Sequence, residues 1–216
     1  NPYTYDWGQF IHFVATRQNT VTGAIYGSDP TIALISLAGE PLPVGSHTFT
    51  TPAGANCTIT YSGQDLLNFY TRTLAQWQGQ GTTVLGNSGG LGYLNETNSG
   101  IPWQSIMALP TNRFCDIKTY GGMLAFMPTV AAYCQSINKP FMDEEYGWKQ
   151  GVNDAQGIND AQRAQAFHGT AVALRANGAT GQAFWNLGSQ MSSTGYDVGP
   201  ATPLTLASIE ADAPAS

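Results

Sequence analysis

Charged side chains are scarce in this sequence of 216 residues, since Asp, Glu, Lys and Arg together make up 10% of it, against about a quarter in an average globular protein. The net charge is −6, and the only lysines are Lys118, Lys139 and Lys149. Without a basic stripe to replace phosphate counterions, binding to nucleic acid is not expected. A neutral polymer such as a polysaccharide does not require a basic surface.

The sequence also lacks long apolar runs and clusters of metal-binding side chains. No run approaches the length of a membrane span, so no membrane partner is predicted. Cys57, Cys115 and Cys134 form no CxxC pair and the three histidines are scattered, so neither a metal site nor another cofactor is predicted. The low charge and the many Gly, Thr, Ser, Asn and Gln residues are typical of a secreted protein, which is the predicted location; the cysteine spacing does not indicate a disulfide pairing.

Apolar residues make up 42% of the sequence, which indicates a globular protein. Short apolar runs alternate with helical patterns, and this alternation predicts an α/β fold with parallel strands. Strands are predicted at residues 32–38, 82–86, 114–119, 141–144 and 181–185. Helices are predicted from residue 6 and at residues 65–78, 103–109, 127–137, 160–177 and 204–209. Residues 41–63 are predicted to be a loop and residues 210–216 a flexible tail, and no compositional break divides residues 1–216 into domains.

Two glutamates follow predicted strands directly, where the active face of a (β/α)8 barrel lies. Glu40 comes after the strand at 32–38 and Glu145 after the strand at 141–144, 105 residues apart. Three units of such a barrel cover about 94 residues, which would place the two strands across the barrel from each other. Two carboxylates in one cleft are the groups that glycoside hydrolysis requires, one as proton donor and one as nucleophile or base.

These residues carry a family resemblance. Ala38-Gly39-Glu40-Pro41 resembles the Asn-Glu-Pro of family 5 glycoside hydrolases and their clan, and Glu145-Tyr146-Gly147 resembles the Glu-Phe/Tyr-Gly of that clan. The resemblance implies a retaining enzyme in which Glu40 is the acid/base and Glu145 the nucleophile. It also identifies the five predicted strands as strands four to eight of a TIM barrel whose first three units are absent.

Further motifs extend the resemblance over most of residues 7–190. Phe184-Trp185 resembles the strand-eight tryptophan that forms a sugar platform, and Lys118-Thr119-Tyr120 falls where the clan often has His-x-Tyr, whose tyrosine contacts the nucleophile. The approach to the first strand, with Arg17-Gln18-Asn19 and Asp29-Pro30, resembles family 5 β-mannanases. The resemblance implies a monomeric enzyme acting on β-1,4-mannan or a related β-glycan. Gly39 occupies the place of a sugar-binding Asn, and Lys118 that of the His.

Several alternatives remain open at this stage. Glu96, which follows Asn95, is a rival for the acid role or a residue of the cleft. Trp185 and Trp148 are candidate sugar contacts, but core packing produces the same pattern in sequence. The two departures from the family pattern also favour an alternative function, a non-catalytic barrel that binds carbohydrate, and an α/β binding protein without a sugar site is a third class.

The predicted truncation has a direct consequence. A barrel without its first three units would expose an unpaired strand edge, so we expect residues 1–216, purified alone, to be inactive or poorly folded. Robust hydrolysis by these residues alone would contradict the truncation.

Overall fold

The computed structural model describes residues 1–151 and 158–213, and the chain divides into two compact units, Asn1–Asp116 and Ile117–Ser216. The first contains α1 (Gly8–Thr16), a 3-10 turn (Tyr26–Ser28), β1 (Leu34–Ser36), β2 (Gly45–Thr50), β3 (Asn56–Tyr61), α2 (Gly63–Gly79), β4 (Leu85–Asn87) and α3 (Trp103–Ala108). Strand β5 (Cys115–Thr119) spans the boundary, and the second unit continues with α4 (Met123–Ser136), β6 (Phe141–Tyr146), α5 (Asp160–Ala176), β7 (Ala179–Phe184) and α6 (Pro203–Asp212). The predicted order of strands and helices is confirmed except for β2 and β3, which were not predicted; the single domain stays a prediction.

The first unit is built on a pair of parallel strands. β1 and β4 pair in register, with Leu34 opposite Leu85. Helix α2 starts at a capping box, in which the Ser62 hydroxyl accepts the Asp65 N–H and the Asp65 carboxylate accepts the Ser62 N–H. Its Trp77 is buried, and the indole N–H donates to the Val84 carbonyl at 2.9 Å. That bond fixes α2 against the chain entering β4.

The loop predicted at residues 41–63 is wrong in its central part, because β2 and β3 form an antiparallel hairpin there. Threonine pairs across one face, with the Thr48 and Thr58 hydroxyls 2.8 Å apart, while His47 and Tyr61 stack on the other at 5.6 Å between ring centroids. Threonine and aromatic residues favour a pleated surface. Pro41 and Pro43 lie before β2, Gly45 is its first residue, and Pro52 and Gly54 lie in the turn between the strands.

The second unit carries the sheet order β5–β6–β7, with β6 and β7 parallel. Helix α5 is N-capped by Asn159, whose side chain accepts the Gln162 N–H. Helix α4 begins at Met123, four residues before its predicted start, and includes Pro128, which removes one intrahelical hydrogen bond. No helix in residues 1–151 and 158–213 is long and apolar enough to cross a membrane.

The predicted tail at 210–216 begins too early, because α6 continues to Asp212. The Asp212 carboxylate accepts from Arg175 at 2.9 Å and contacts His168 at 3.0 Å, both on α5. At the other end of α6, the Asp160 carboxylate accepts the Leu204 N–H at 2.9 Å. These contacts fasten α6 to α5 at both ends; residues 214–216 lie outside the described residues.

Candidate active site

Glu145 is held by two donors in the second unit. Its Oε1 accepts from the Tyr120 hydroxyl at 2.8 Å, and its Oε2 accepts from the Lys118 ammonium at 2.7 Å. The Lys118 and Glu145 side chains are only 15% and 18% exposed. Both carboxylate oxygens are therefore oriented, and a partly buried charge is balanced by an opposite one. The predicted pairing of Tyr120 with Glu145 is present; that Lys118 also binds this carboxylate had no signal in the sequence.

Glu145 was predicted to follow a strand at residues 141–144, but β6 continues to Tyr146, and Glu145 lies within it at a β-bulge. Asp143 pairs with Gln182 and Tyr146 pairs with Phe184, so three steps along β6 match two along β7. A bulge of this kind bends the strand and redirects a side chain, and bulges are frequent next to active sites. The Glu145 N–H donates to the Asp143 carboxylate at 3.2 Å. Sequence reasoning missed both the bulge and Asp143.

Asp143 is a fully buried carboxyl, with 0% exposure. Burial raises its pKa to about 7, and the neighbouring Thr119 opposes part of that shift. Its Oδ2 has no hydrogen-bond partner among the residues that the structure describes. A buried acid with a raised pKa therefore lies two residues before the candidate nucleophile.

Trp185 follows β7, and its backbone N–H donates to the Tyr146 carbonyl at 2.8 Å. The side chain is 46% exposed, which leaves ring surface accessible to a sugar. Gly147 lies against the same backbone: a Cβ there would be 2.8 Å from the Trp185 carbonyl oxygen, so the third residue of the Glu145-Tyr146-Gly147 motif has to be glycine. Tyr196 packs its ring edge against Tyr120 at 5.7 Å between centroids. It is a further residue that the sequence did not indicate.

Trp148 contacts α5. Its indole N–H donates to the Thr170 hydroxyl at 3.2 Å, and its carbonyl accepts from Arg163 at 2.6 Å. Arg163 is fully buried and also donates to the carbonyls of Tyr196 and Asp197. Helix α5 thereby holds the segments on which Trp148 and Tyr196 lie. These contacts favour the packing alternative for Trp148 over a direct sugar contact.

Glu40 lies in the first unit, two residues after Ala38. Its N–H donates to the Gly90 carbonyl at 2.9 Å, and the Tyr70 hydroxyl donates to the Ala38 carbonyl at 2.7 Å. Its φ is +48°, in the left-handed region that costs a non-glycine residue free energy. Glu40 and Gly39 are both exposed. Glu40 is thus an exposed glutamate in a left-handed conformation, four residues past the end of β1.

The backbone that positions Glu40 is supported by a buried polar network. The Asp116 carboxylate accepts from the Asn87 amide at 2.6 Å and from the Ser88 hydroxyl at 3.1 Å, and the Asn112 amide donates to Ser88 at 3.1 Å. All four residues are fully buried. The Ser88 carbonyl in turn accepts the Ala38 N–H at 2.9 Å. Nothing in the sequence indicates this network, because its first and last members, Asn87 and Asp116, are 29 residues apart and meet only in the folded chain.

Glu96, the rival for the acid role, is exposed in a turn of the loop after β4. Its N–H donates to the Tyr93 carbonyl at 3.2 Å, and its carbonyl accepts the Ser99 N–H at 3.1 Å. It lies nine residues past the end of β4, whereas Glu40 lies four residues past the end of β1. Among the described residues, no group of three or more His, Cys, Asp or Glu side chains could hold a metal ion.

The Glu145 site suggests a test of Tyr120. We expect Tyr120→Phe to lower kcat about tenfold, because a hydrogen bond to a charged group is worth roughly 1.5–3 kcal/mol and only part of it is lost when Lys118 remains. The measurement is steady-state hydrolysis of an aryl β-glycoside by the full-length protein. Tyr133→Phe, on α4, is the matched control, and an unchanged kcat in Tyr120→Phe would contradict a catalytic use of this bond.

The fold is an α/β fold of parallel β/α units, as in part of a (β/α)8 barrel. Similar solved structures include the endo-1,4-beta-mannanase of Rhizomucor miehei, with a TM-score of 0.73, 19% identity, and coverage of 97% of this chain and 63% of that chain. The endo-1,4-beta-D-mannanase of Thermotoga petrophila matches with a TM-score of 0.67, 17% identity, and coverage of 95% and 63%. A glycoside hydrolase family 5 mannosidase of Rhizomucor miehei matches with a TM-score of 0.63, 16% identity, and coverage of 92% and 49%.

The predicted fold class is thus confirmed by structural similarity to family 5 mannanases and mannosidases. The chain spans only 49% to 63% of the length of these proteins, which agrees with the predicted absence of three of eight units. No protein-family model matches the sequence, and no curated protein is significantly similar to it.

Proposed function

We propose that this chain belongs to a retaining glycoside hydrolase that cleaves β-linked polysaccharide, with Glu145 as nucleophile and Glu40 as acid/base. The observation that carries the proposal is the Glu145 carboxylate near the C-terminal end of β6, with its two oxygens held by Tyr120 and Lys118. The likeness of the fold to mannanases and the strained Glu40 after β1 support it. A retaining mechanism requires the two carboxyl groups to be about 5–5.5 Å apart in the assembled enzyme.

The reaction would proceed in two displacements. A Glu145 oxygen attacks the anomeric carbon, the glycosidic C–O bond breaks, and the protonated Glu40 transfers its proton to the leaving oxygen. Glu40, now ionised, removes a proton from water, whose oxygen attacks the same carbon and releases Glu145. The Tyr120 hydroxyl holds Oε1 and the Lys118 ammonium holds Oε2, so whichever oxygen attacks, the other keeps its donor during both steps.

We propose β-1,4-mannan, or a related β-glycan, as the substrate. The relatives of similar fold are a β-mannanase and a mannosidase, and a variant of the Rhizomucor miehei mannosidase was solved in complex with mannosyl-fructose. In this chain, the half-exposed Trp185 would stack on a sugar ring, as aromatic faces do on apolar sugar faces. An extracellular location, suited to a polysaccharide substrate, is part of the proposal.

A non-catalytic carbohydrate-binding barrel is the second candidate, and a specific contact favours it. The Lys118 ammonium lies 2.7 Å from the Glu145 carboxylate, and a close ion pair could hold that oxygen away from a sugar. Gly39, where the family has a sugar-binding Asn, lacks a side chain to contact the sugar. Binding without turnover would follow if both departures abolish catalysis.

Incubation of the full-length protein with mannohexaose separates the two candidates. The hydrolase is expected to release shorter oligosaccharides whose first-formed anomer, followed by proton NMR, keeps the β configuration. Saturable binding by calorimetry without product would support the binding barrel instead. Initial formation of the α anomer would exclude the double displacement, and neither binding nor product would exclude both candidates for this glycan.

A further inference from the structure

Two β-bulges follow each other along the β6–β7 ladder, one in each strand, and at each of them a side chain forms a hydrogen bond with a backbone group. At the first bulge, β7 contains the extra residue Thr180, whose hydroxyl donates to the Phe141 carbonyl at 3.1 Å. At the second, β6 contains the extra residue, and Asp143 accepts the Glu145 N–H at 3.2 Å. The extra residue of a bulge has no partner on the neighbouring strand. A side chain that forms a hydrogen bond with a backbone group at the bulge therefore stabilises it.

The second bulge decides which way Glu145 points. Phe141 and Asp143 are buried, as strand alternation requires, but the next buried residue is Tyr146 rather than residue 145. The alternation of buried and less buried side chains therefore shifts by one residue within the bulge. As a result, the Glu145 side chain does not lie on the buried face of β6. It is this shift that brings the Glu145 carboxylate to the Lys118 ammonium at 2.7 Å and the Tyr120 hydroxyl at 2.8 Å.

We propose that Asp143 is a positioning residue, which fixes the second bulge through the Glu145 N–H and so sets the direction of the Glu145 side chain. The proposal rests on the proposed function only in that Glu145 is taken as the nucleophile. Asp143 does not touch the reacting atoms; it acts through the peptide of the residue that does.

The residues identified around Asp143 are uncharged or acidic, so its carboxyl accepts hydrogen bonds without a cation to balance a negative charge. From β7, the register places the uncharged Gln182 opposite it, and from β5 the nearby residue is the uncharged Thr119. Its own strand carries two further carboxyls, Glu144 and Glu145, and Glu145 repels an ionised Asp143. The pKa of Tyr146 is raised mainly by burial and, to a smaller extent, by Asp143. A protonated Asp143 keeps one acceptor oxygen for the Glu145 N–H, and burial raises its pKa to about 7, so this form persists at mildly acidic pH.

The first measurement follows the hydrogen bond itself and does not depend on catalysis. In the full-length protein labelled with ¹⁵N-glutamate, the Glu145 amide proton should titrate with a midpoint near pH 7, as its acceptor ionises. Asp143→Asn should abolish that titration, and Asp143→Ala should move the proton upfield because the acceptor is gone. Glu144→Gln, which removes the adjacent carboxyl of the same strand, is the matched control and should leave the titration in place. The proposal would be overturned if the Glu145 amide proton did not titrate in the parent protein and had an unchanged chemical shift in Asp143→Asn and Asp143→Ala.

The second measurement asks whether that bond aims the nucleophile. We expect Asp143→Ala to lower kcat at least tenfold with KM within about threefold, while Asp143→Asn, which retains an acceptor oxygen, stays within about threefold of the parent in both. Equal losses in the two variants, or an amide shift in Asp143→Ala without a loss of kcat, would reject a positioning role. If the parent protein neither hydrolyses nor binds β-glycans, the proposed function fails, and the amide titration still decides whether Asp143 holds the bulge.

Discussion

Glu145→Ala is expected to abolish almost all turnover by the full-length protein, lowering kcat by about 10⁴-fold or more. The substitution removes the only oxygen proposed to attack the anomeric carbon, so a covalent glycosyl-enzyme cannot form and the two-step route is lost. Substrate binding depends on other side chains, such as Trp185, and KM should change far less than kcat. Steady-state kinetics on an aryl β-mannoside with a good leaving group measures both quantities.

Azide separates the role of Glu145 from that of Glu40. In Glu145→Ala, the space left by the carboxylate admits azide, and the expected product is a glycosyl azide of inverted configuration. In Glu40→Ala, the covalent intermediate still forms, and azide should attack it to give a product of retained configuration. Glu144→Ala is the control and should hydrolyse the substrate at a nearly normal rate. Near-normal kcat in Glu145→Ala, or the same azide stereochemistry in both variants, would remove Glu145 from the nucleophile role.

The order of strands and helices could be predicted from the sequence because each strand is a short apolar run and each helix has its own periodic pattern and boundary signals. Asn159 shows this well, since an Asn directly before a helical pattern is a strong N-cap signal and the structure has the cap there. The hairpin at residues 45–61 was missed for the opposite reason. Its stability comes from pairs across two strands, and the surrounding prolines and glycines carry the stronger local signal.

The candidate site divides in the same way. Glu40 and Glu145 could be found because each lies at the end of a short apolar run, which is a local feature, and the resemblance added the partner of Glu145, Tyr120. The exact strand ends were not predicted, since Glu40 lies four residues past β1 and Glu145 within β6. The Lys118–Glu145 ion pair could not be predicted, because residues 27 apart meet only when β5 and β6 are neighbours in one sheet. The bulge was equally hidden, since it is defined by the register between β6 and β7 and not by either strand alone. Asp143 became a candidate only when its burial was known.

Stability should depend on pH through Asp143, with a large amplitude. Burial raises the pKa of this carboxyl from 3.8 to about 7 in the folded state, so between these values the folded protein keeps a proton that the unfolded chain has released. The free energy of unfolding that is due to Asp143 should therefore fall as pH rises from about 4 to about 7, and be constant on either side. Three pKa units correspond to about 4 kcal/mol at most.

Denaturant unfolding of the full-length protein and of Asp143→Asn, at pH values from about 4 to 8, isolates this contribution. Carboxyls such as Asp65 and Asp197, whose pKa values are lowered by hydrogen bonds, stabilise the protein with the opposite pH dependence, but they contribute equally to both proteins and cancel in the difference. The asparagine amide can cost about 1–3 kcal/mol where Oδ2 lacked a partner, yet that cost is the same at every pH. We therefore expect Asp143→Asn to gain stability relative to the parent steadily between pH 4 and 7, and Glu144→Gln to show no such gain. A difference between parent and variant that stays constant across this range would mean that Asp143 ionises as readily in the folded protein as in the unfolded chain, and that its burial has no electrostatic consequence.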